Sequence, residues 1–301
     1  MSLEKTIIGN KRIVHILEKS YRLGKLSHAY LFDGPCHIGK KTLALGFCRL
    51  LLNDERENII DNVDLIILGP DKDKKQISVE KVREMEKKIS LFPYYSKYKV
   101  VIIEQAESMS KAAANAMLKT LEEPNKTTIL ILLVSNSKSL LPTIRSRCQV
   151  FKFLPVKKKI LEQFLSDKIE NKDRIKEIIE LGGYKPGKII ELIENKQKIE
   201  EFKNDINRFV AVLDKSHFEK IQEAEIISKK EIDEILNLFN LYSFYYRNII
   251  LKNYKERKND CDICEISKLK RNIDLLNNTR ENISTKNINV KLAIEIFFLQ
   301  V

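Results

Sequence analysis

The chain has 301 residues, 43% hydrophobic and 32% charged, which allows two or three domains with sizeable cores and excludes a disordered chain. Its formal net charge of +12 admits a nucleic-acid partner, but lysines stand beside glutamates throughout, as on solvated helix faces. No apolar stretch approaches the ~20 residues of a membrane span and no secretory signal opens the chain, which points to a cytoplasmic protein without a membrane partner.

With 9 Gly and 7 Pro, long loops should be few and helix should dominate. Within residues 3–27, Ile13, Val14, Ile16, Leu17, Tyr21 and Leu23 recur at helical spacing and predict an amphipathic helix. The run His28 to Phe32 reads as a short buried strand and Lys41 to Asn53 as a helix. Val63 to Leu68 is a second strand. Ser78 to Met85 is a helix with Ser78 as N-cap. Lys99 to Ile103 is a β-branched run suited to a central parallel strand. A helix from about Lys111 to Glu122 closes at Pro124, and Thr128 to Val134 is a further strand. Alternating strand and helix argue for an α/β fold, an open parallel sheet covered on both faces. Beyond Phe153, Pro155 and Lys157-Lys158-Lys159 mark a junction, after which strand-like runs almost vanish. Residues 157–203 read as a small helical domain turning at Gly182-Gly183-Tyr184-Lys185-Pro186-Gly187. Residues 204–301 read as an all-helical domain, in which the aromatic run Phe239 to Tyr246 packs a core.

Two stretches carry chemistry. Gly34-Pro35-Cys36-His37-Ile38-Gly39-Lys40-Lys41-Thr42 has the outline of a phosphate-binding loop between a strand and a helix. Such a loop aims backbone N–H groups and a lysine at phosphate oxygens. The residue after Lys40 should be a Ser or Thr whose hydroxyl holds Mg²⁺; here it is Lys41, whose ammonium repels a metal. Gly34 and Glu104 both fall at the carboxyl ends of strands, where open α/β sheets bind ligands. The second stretch is Thr143-Ile144-Arg145-Ser146-Arg147-Cys148.

Together with Asn115-Ala116-Met117-Leu118-Lys119-Thr120-Leu121-Glu122-Glu123-Pro124 and Asn289 to Glu295, these motifs resemble the clamp-loader branch of the AAA+ ATPases, and within it the delta-prime family of bacterial DNA polymerase III. The resemblance implies an AAA+ P-loop domain over 1–156, a helical lid over 157–203 and a helical collar over 204–301. It implies a five-membered ring with gamma/tau and delta subunits, which acts on a sliding clamp and primed DNA. In that ring the arginine of Ser-Arg-Cys, here Arg147, reaches the γ-phosphate held by the neighbouring gamma/tau subunit. A planar, always charged fork can follow charge that develops on phosphoryl oxygens. Fingers of this kind are worth about 10³ to 10⁵ in rate in GTPases, or about 4–7 kcal/mol of barrier. Arg145 reads instead as a packing or charge-pair residue.

Departures from the family pattern concentrate on hydrolysis. The Asp-Glu pair after the central strand is Glu104-Gln105, and a neutral amide cannot accept a proton from water. The loop glycine is His37, the metal hydroxyl is Lys41, and Thr42 comes one position late. The lid's sensing arginine is Gly187, with Lys188 beside it. Ser135, better aligned than Asn136, is left as a polar sensor. Gly34, Gly39, Lys40, Thr42, Glu104 and Ser135 therefore form a degenerate loop that leaves ATP binding open, while Arg147, which serves a neighbour, is kept.

Cys36, Cys48, Cys148, Cys261 and Cys264 read as reduced cytosolic thiols. The family's four-cysteine zinc module is missing, and Cys261-Asp262-Ile263-Cys264 is half a tetrahedral site, so no metal or zinc is expected. His28, His37 and His217 have no paired spacing, and Glu122-Glu123 and Glu200-Glu201 read as solvated helix faces. The expected function is a non-hydrolysing stator of the clamp loader within the polymerase holoenzyme. A weakly active clamp-loader ATPase using Thr42 and Glu104, or a DNA-binding module, are the alternatives.

Overall fold

The computed structural model describes residues 3, 7–56, 58–70, 76–256, 262–285 and 289–301. By internal contact the chain divides into two compact units, Met1–Glu191 and Leu192–Val301.

The first unit begins with helix α1 (Lys11–Arg22), shorter than the expected span because left-handed backbone at Gly9 and Asn10 precedes it and left-handed Gly24 follows it. Ile13, Val14 and Leu17 are buried, whereas Leu23 lies beyond the helix and is exposed. Then come β1 (Ala29–Asp33), α2 (Lys40–Leu52), β2 (Leu65–Leu68), α3 (Val79–Ile89), β3 (Lys99–Ile103), α4 (Lys111–Glu122) and β4 (Thr128–Val134). Besides single 3-10 turns, α5 (Pro142–Ser146) and β5 (Gln149–Lys152) escaped the sequence reading. Strand β5 buries only Phe151, so it carries no apolar run; pairing with β1 makes it a strand.

All the strand pairs are parallel and the order is β2-β3-β4-β1-β5. Side chains alternate between two cores, as strand geometry demands. Tyr30, Phe32, Val100, Ile102, Ile129 and Ile131 face α1 and α2. Leu31, Val101, Ile103, Leu130, Leu132 and Val134 face the buried residues of α3, α4 and α5. Ser78 occupies the N-cap of α3, but its side chain makes no capping bond. Ser110 does cap α4, accepting from Ala113 N at 3.1 Å. Helices α6 (Lys158–Ser166), α7 (Lys172–Leu181) and α8 (Pro186–Glu194) follow.

The second unit contains α9 (Lys196–Leu213), α10 (His217–Ser228), α11 (Ile232–Glu256), α12 (Asp262–Thr285) and α13 (Val290–Gln300). Its core gathers Phe209, Phe239, Tyr242, Tyr246, Phe297 and Phe298. The aromatic run is core packing as expected: Phe209 stacks on Tyr242 with ring centroids 3.8 Å apart. Among the described residues no helix is long and apolar enough to cross a membrane. An α/β domain with an open parallel sheet is thus followed by helices, as the resemblance implies.

Candidate functional site

The loop from Gly34 to Gly39 links β1 to α2. Gly34 ends the strand so close to the segment after β5 that a Cβ there would lie 2.6 Å from Phe153 O, so only glycine fits. Gly39 takes a left-handed φ of 96° as N-cap of α2. His37, where the family pattern has glycine, is also left-handed with φ 61°, a strain that a side chain bears only when its surroundings hold it. Ile38 beside it is buried and anchors the loop.

A cavity of about 430 Å³ opens at the carboxyl ends of β1, β3 and β4; Gly39, Lys40, Lys41, Thr42, Glu104 and Ser135 line it. The tertiary structure therefore gathers the predicted loop residues, with Gly34 at the entry to the loop. Their bonding is directed inward. Lys40 Nζ donates to Gly34 O, and to Pro35 O at 2.8 Å. Its pKa lies below the ordinary lysine value because of burial, offset by Cys36, Glu107 and Asp33. The lysine that should reach for phosphate is folded onto the carbonyls of its own loop. Lys41 Nζ forms an ion pair with Glu104 Oε1 at 2.8 Å. An ammonium and a carboxylate thus meet where an active loop would bring a hydroxyl and a carboxylate to a metal. Thr42 is exposed, one residue further along α2.

The other side of the cavity is equally engaged. Ser135 Oγ shares a hydrogen bond with Cys36 Sγ at 3.3 Å, and Ser135 N donates to Glu107 Oε1 at 2.8 Å. Asn136 is spent as a cap, accepting from Lys138 N. Gly187, at the start of α8, donates its N–H to His37 O at 2.8 Å, and a Cβ at Gly187 would come within 2.9 Å of that same oxygen. Gly187, where the resemblance would put an arginine, is therefore held against the loop by a backbone contact. His37 is held below the ordinary histidine range by partial desolvation, then by Lys188, Lys185 and Lys40, with Glu191 opposing. Sequence reasoning missed Glu107, which has no motif and joins the site only through the fold, and gave Cys36 within the loop no role.

Arg147 is not part of this lining. It closes α5 as C-cap, and its side chain is 36% exposed. Nη1 donates to Thr143 O at 3.0 Å, and Nη2 pairs with Glu122 Oε1 at 2.8 Å. Arg145 is exposed. A larger cavity of about 790 Å³ between Tyr21, Arg22, Asp54, Arg56, Tyr95 and Lys97 contains none of the predicted site residues. Its buried carboxylate Asp54 is already saturated by Arg56 and Asn62, and Arg56 holds it well below the usual carboxylate range. Among the described residues no cluster of His, Cys, Asp and Glu could hold a metal. Of the Cys261-Cys264 pair, Cys261 lies outside the described residues.

Residues 9–157 match the family model described as "DNA polymerase III, delta subunit". The DNA polymerase III subunit delta' of Bacillus subtilis is 34% identical over 51% of this chain and 50% of its own length. The tau subunit of the same organism is 35% identical over 49% of this chain and 28% of its own length. A solved structure, a DNA polymerase III gamma subunit-related protein of Thermotoga maritima, is 19% identical, covers 94% of this chain and 99% of its own, and has a TM-score of 0.49. The chain spans about half the length of the delta' relative it matches. Identity alone leaves delta' and tau level, and the family match spans the loop, the Glu122 motif and the Ser-Arg-Cys motif. Over residues 9–157 the chain thus resembles the delta subunit family of DNA polymerase III, with delta' subunits among the similar proteins.

Proposed function

We propose that the chain is a non-hydrolysing stator of the clamp loader. In this reading it joins gamma/tau and delta subunits in a five-membered ring and donates Arg147 to the ATP site of the adjacent gamma/tau subunit. The ring then loads the sliding clamp onto primed DNA. Residues 1–156, 157–203 and 204–301 act as nucleotide-binding-type domain, lid and collar, and the protein works in the cytoplasm.

The observation that carries the reading is the ion pair between Lys41 and Glu104 at 2.8 Å. A divalent cation entering there would have to displace an ammonium that already neutralises the carboxylate, which like-charge repulsion opposes. Lys40 turned onto Gly34 O and Pro35 O and the Gly187 contact with His37 O support the same conclusion. Without metal and with a neutral Gln105, the loop has nothing to polarise water or to neutralise the leaving phosphate. Arg147, by contrast, is half-exposed and outside its own cavity, as a residue acting in trans must be.

The test is the DNA- and clamp-stimulated ATPase rate of the reconstituted loader. Arg147→Ala is expected to remove the finger's share of the rate at the site it serves, about 10³ to 10⁵ by analogy with GTPases, whereas Lys40→Ala leaves the rate near wild type. The reverse order, or nucleotide turnover by the isolated chain that Lys40→Ala abolishes, would establish the weakly active ATPase instead.

A further inference from the structure

The Glu122-Glu123 pair reads from sequence as a solvated helix face, and both residues are exposed, but Glu122 also makes a specific contact. Glu122 is the last residue of α4, where the helix macrodipole disfavours a carboxylate. Its contact with Arg147 crosses from α4 to the C-cap of α5, and buried neighbours hold the two helices together. Leu121 and Met117 on α4 share a core with Ile144 on α5. Thr120 Oγ1 donates to Glu86 Oε1 at 2.9 Å, which ties the same turn of α4 to α3. The pair itself is half-exposed, with side chains 52% and 36% accessible, and pairs of that kind add little to stability. Its effect is therefore geometric.

We infer that Glu122 is a positioning residue for Arg147. Glu122 Oε1 engages Nη2 at 2.8 Å and Thr143 O accepts from Nη1 at 3.0 Å. These two acceptors fix the plane of the guanidinium and leave its Nε–H and one proton on each Nη for a phosphoryl oxygen. An arginine otherwise spreads over many rotamers, and a side chain already held in one of them loses less freedom when it reaches the transition state. The inference rests on Arg147 acting in trans.

The test is a double-mutant cycle in the reconstituted loader, reading kcat and KM for ATP together with assembly by size-exclusion chromatography. Glu122→Ala is expected to lower kcat about tenfold, a factor in keeping with immobilising one long side chain, with KM and assembly unchanged. Glu122→Gln, which keeps a carbonyl acceptor, restores most of the rate. In the Arg147→Ala background, Glu122→Ala has no further effect. An equal loss in both backgrounds, a rise in kcat from Glu122→Ala, or an unchanged rate would overturn the assignment. If Arg147→Ala itself left the rate unchanged, the finger reading would fail first, and the two failures are told apart by that single variant.

Discussion

Single residues decide what the cavity at the end of β1 can do. Lys41 stands in the sequence where the resemblance expects a hydroxyl, but its pairing with Glu104 was not legible there, because the two residues are 63 positions apart and meet only when β1 and β3 share one sheet. Gly187 is the sharper case. The sequence suggests only a missing arginine there; the structure adds that its backbone touches His37 O and that even a Cβ would crowd that oxygen at 2.9 Å. Gly187→Arg is therefore expected to lose about 1–3 kcal/mol, the usual cost of overpacking, rather than to restore a nucleotide sensor. Urea unfolding measures the loss, and unchanged stability would show that α8 yields easily. Arg147 was legible from its motif, whereas Glu122 became its partner only once α4 and α5 were packed.

At the scale of elements, buried runs were easy to read and polar edges were not. β3 and β4 are buried along their whole length, and such continuous apolar runs announce central strands. β5 does not, since its single buried residue gives no period. One loop illustrates a constraint invisible to periodicity. Asp64, fully buried just before β2, accepts from the backbone N–H groups of Tyr94, Tyr95 and Ser96 at 2.6, 2.9 and 3.0 Å. Burial pushes its carboxyl up, but these bonds outweigh it and hold the pKa below the ordinary aspartate value. Because the folded pKa is depressed, its stabilisation is present above the unfolded value near ~3.9 and is lost as pH falls through the folded one. Asp64→Asn removes one acceptor and sets an amide donor against N–H groups, an expected cost of about 1–3 kcal/mol at neutral pH. Acid titration of unfolding in both proteins checks it: the variant should show a shallower loss of stability at low pH, and parallel curves would exclude this role.

Over the whole molecule, charge and core are organised separately. Lysines pair with glutamates along helices, as in Lys158 with Glu162, Lys215 with Glu219 and Lys291 with Glu295, so these basic side chains stand beside acid at the surface. The second unit has its own aromatic core around Phe209. Phe209→Ala is expected to cost about 3–5 kcal/mol there, with faster hydrogen exchange confined to Leu192–Val301. Equal loss of protection in the strands of the first unit would mean that the two unfold together. The sequence by itself determined the alternation of strands and helices, the phosphate-loop outline and the resemblance to DNA polymerase III subunits, because hydrophobic period and short motifs are local properties of the chain. Only the tertiary structure decided that Lys41 pairs with Glu104, that Gly187 at the start of α8 donates to His37 O and that Glu122 pairs with Arg147. Those contacts join residues that are distant in the chain and meet only where strand ends and helix ends are brought together.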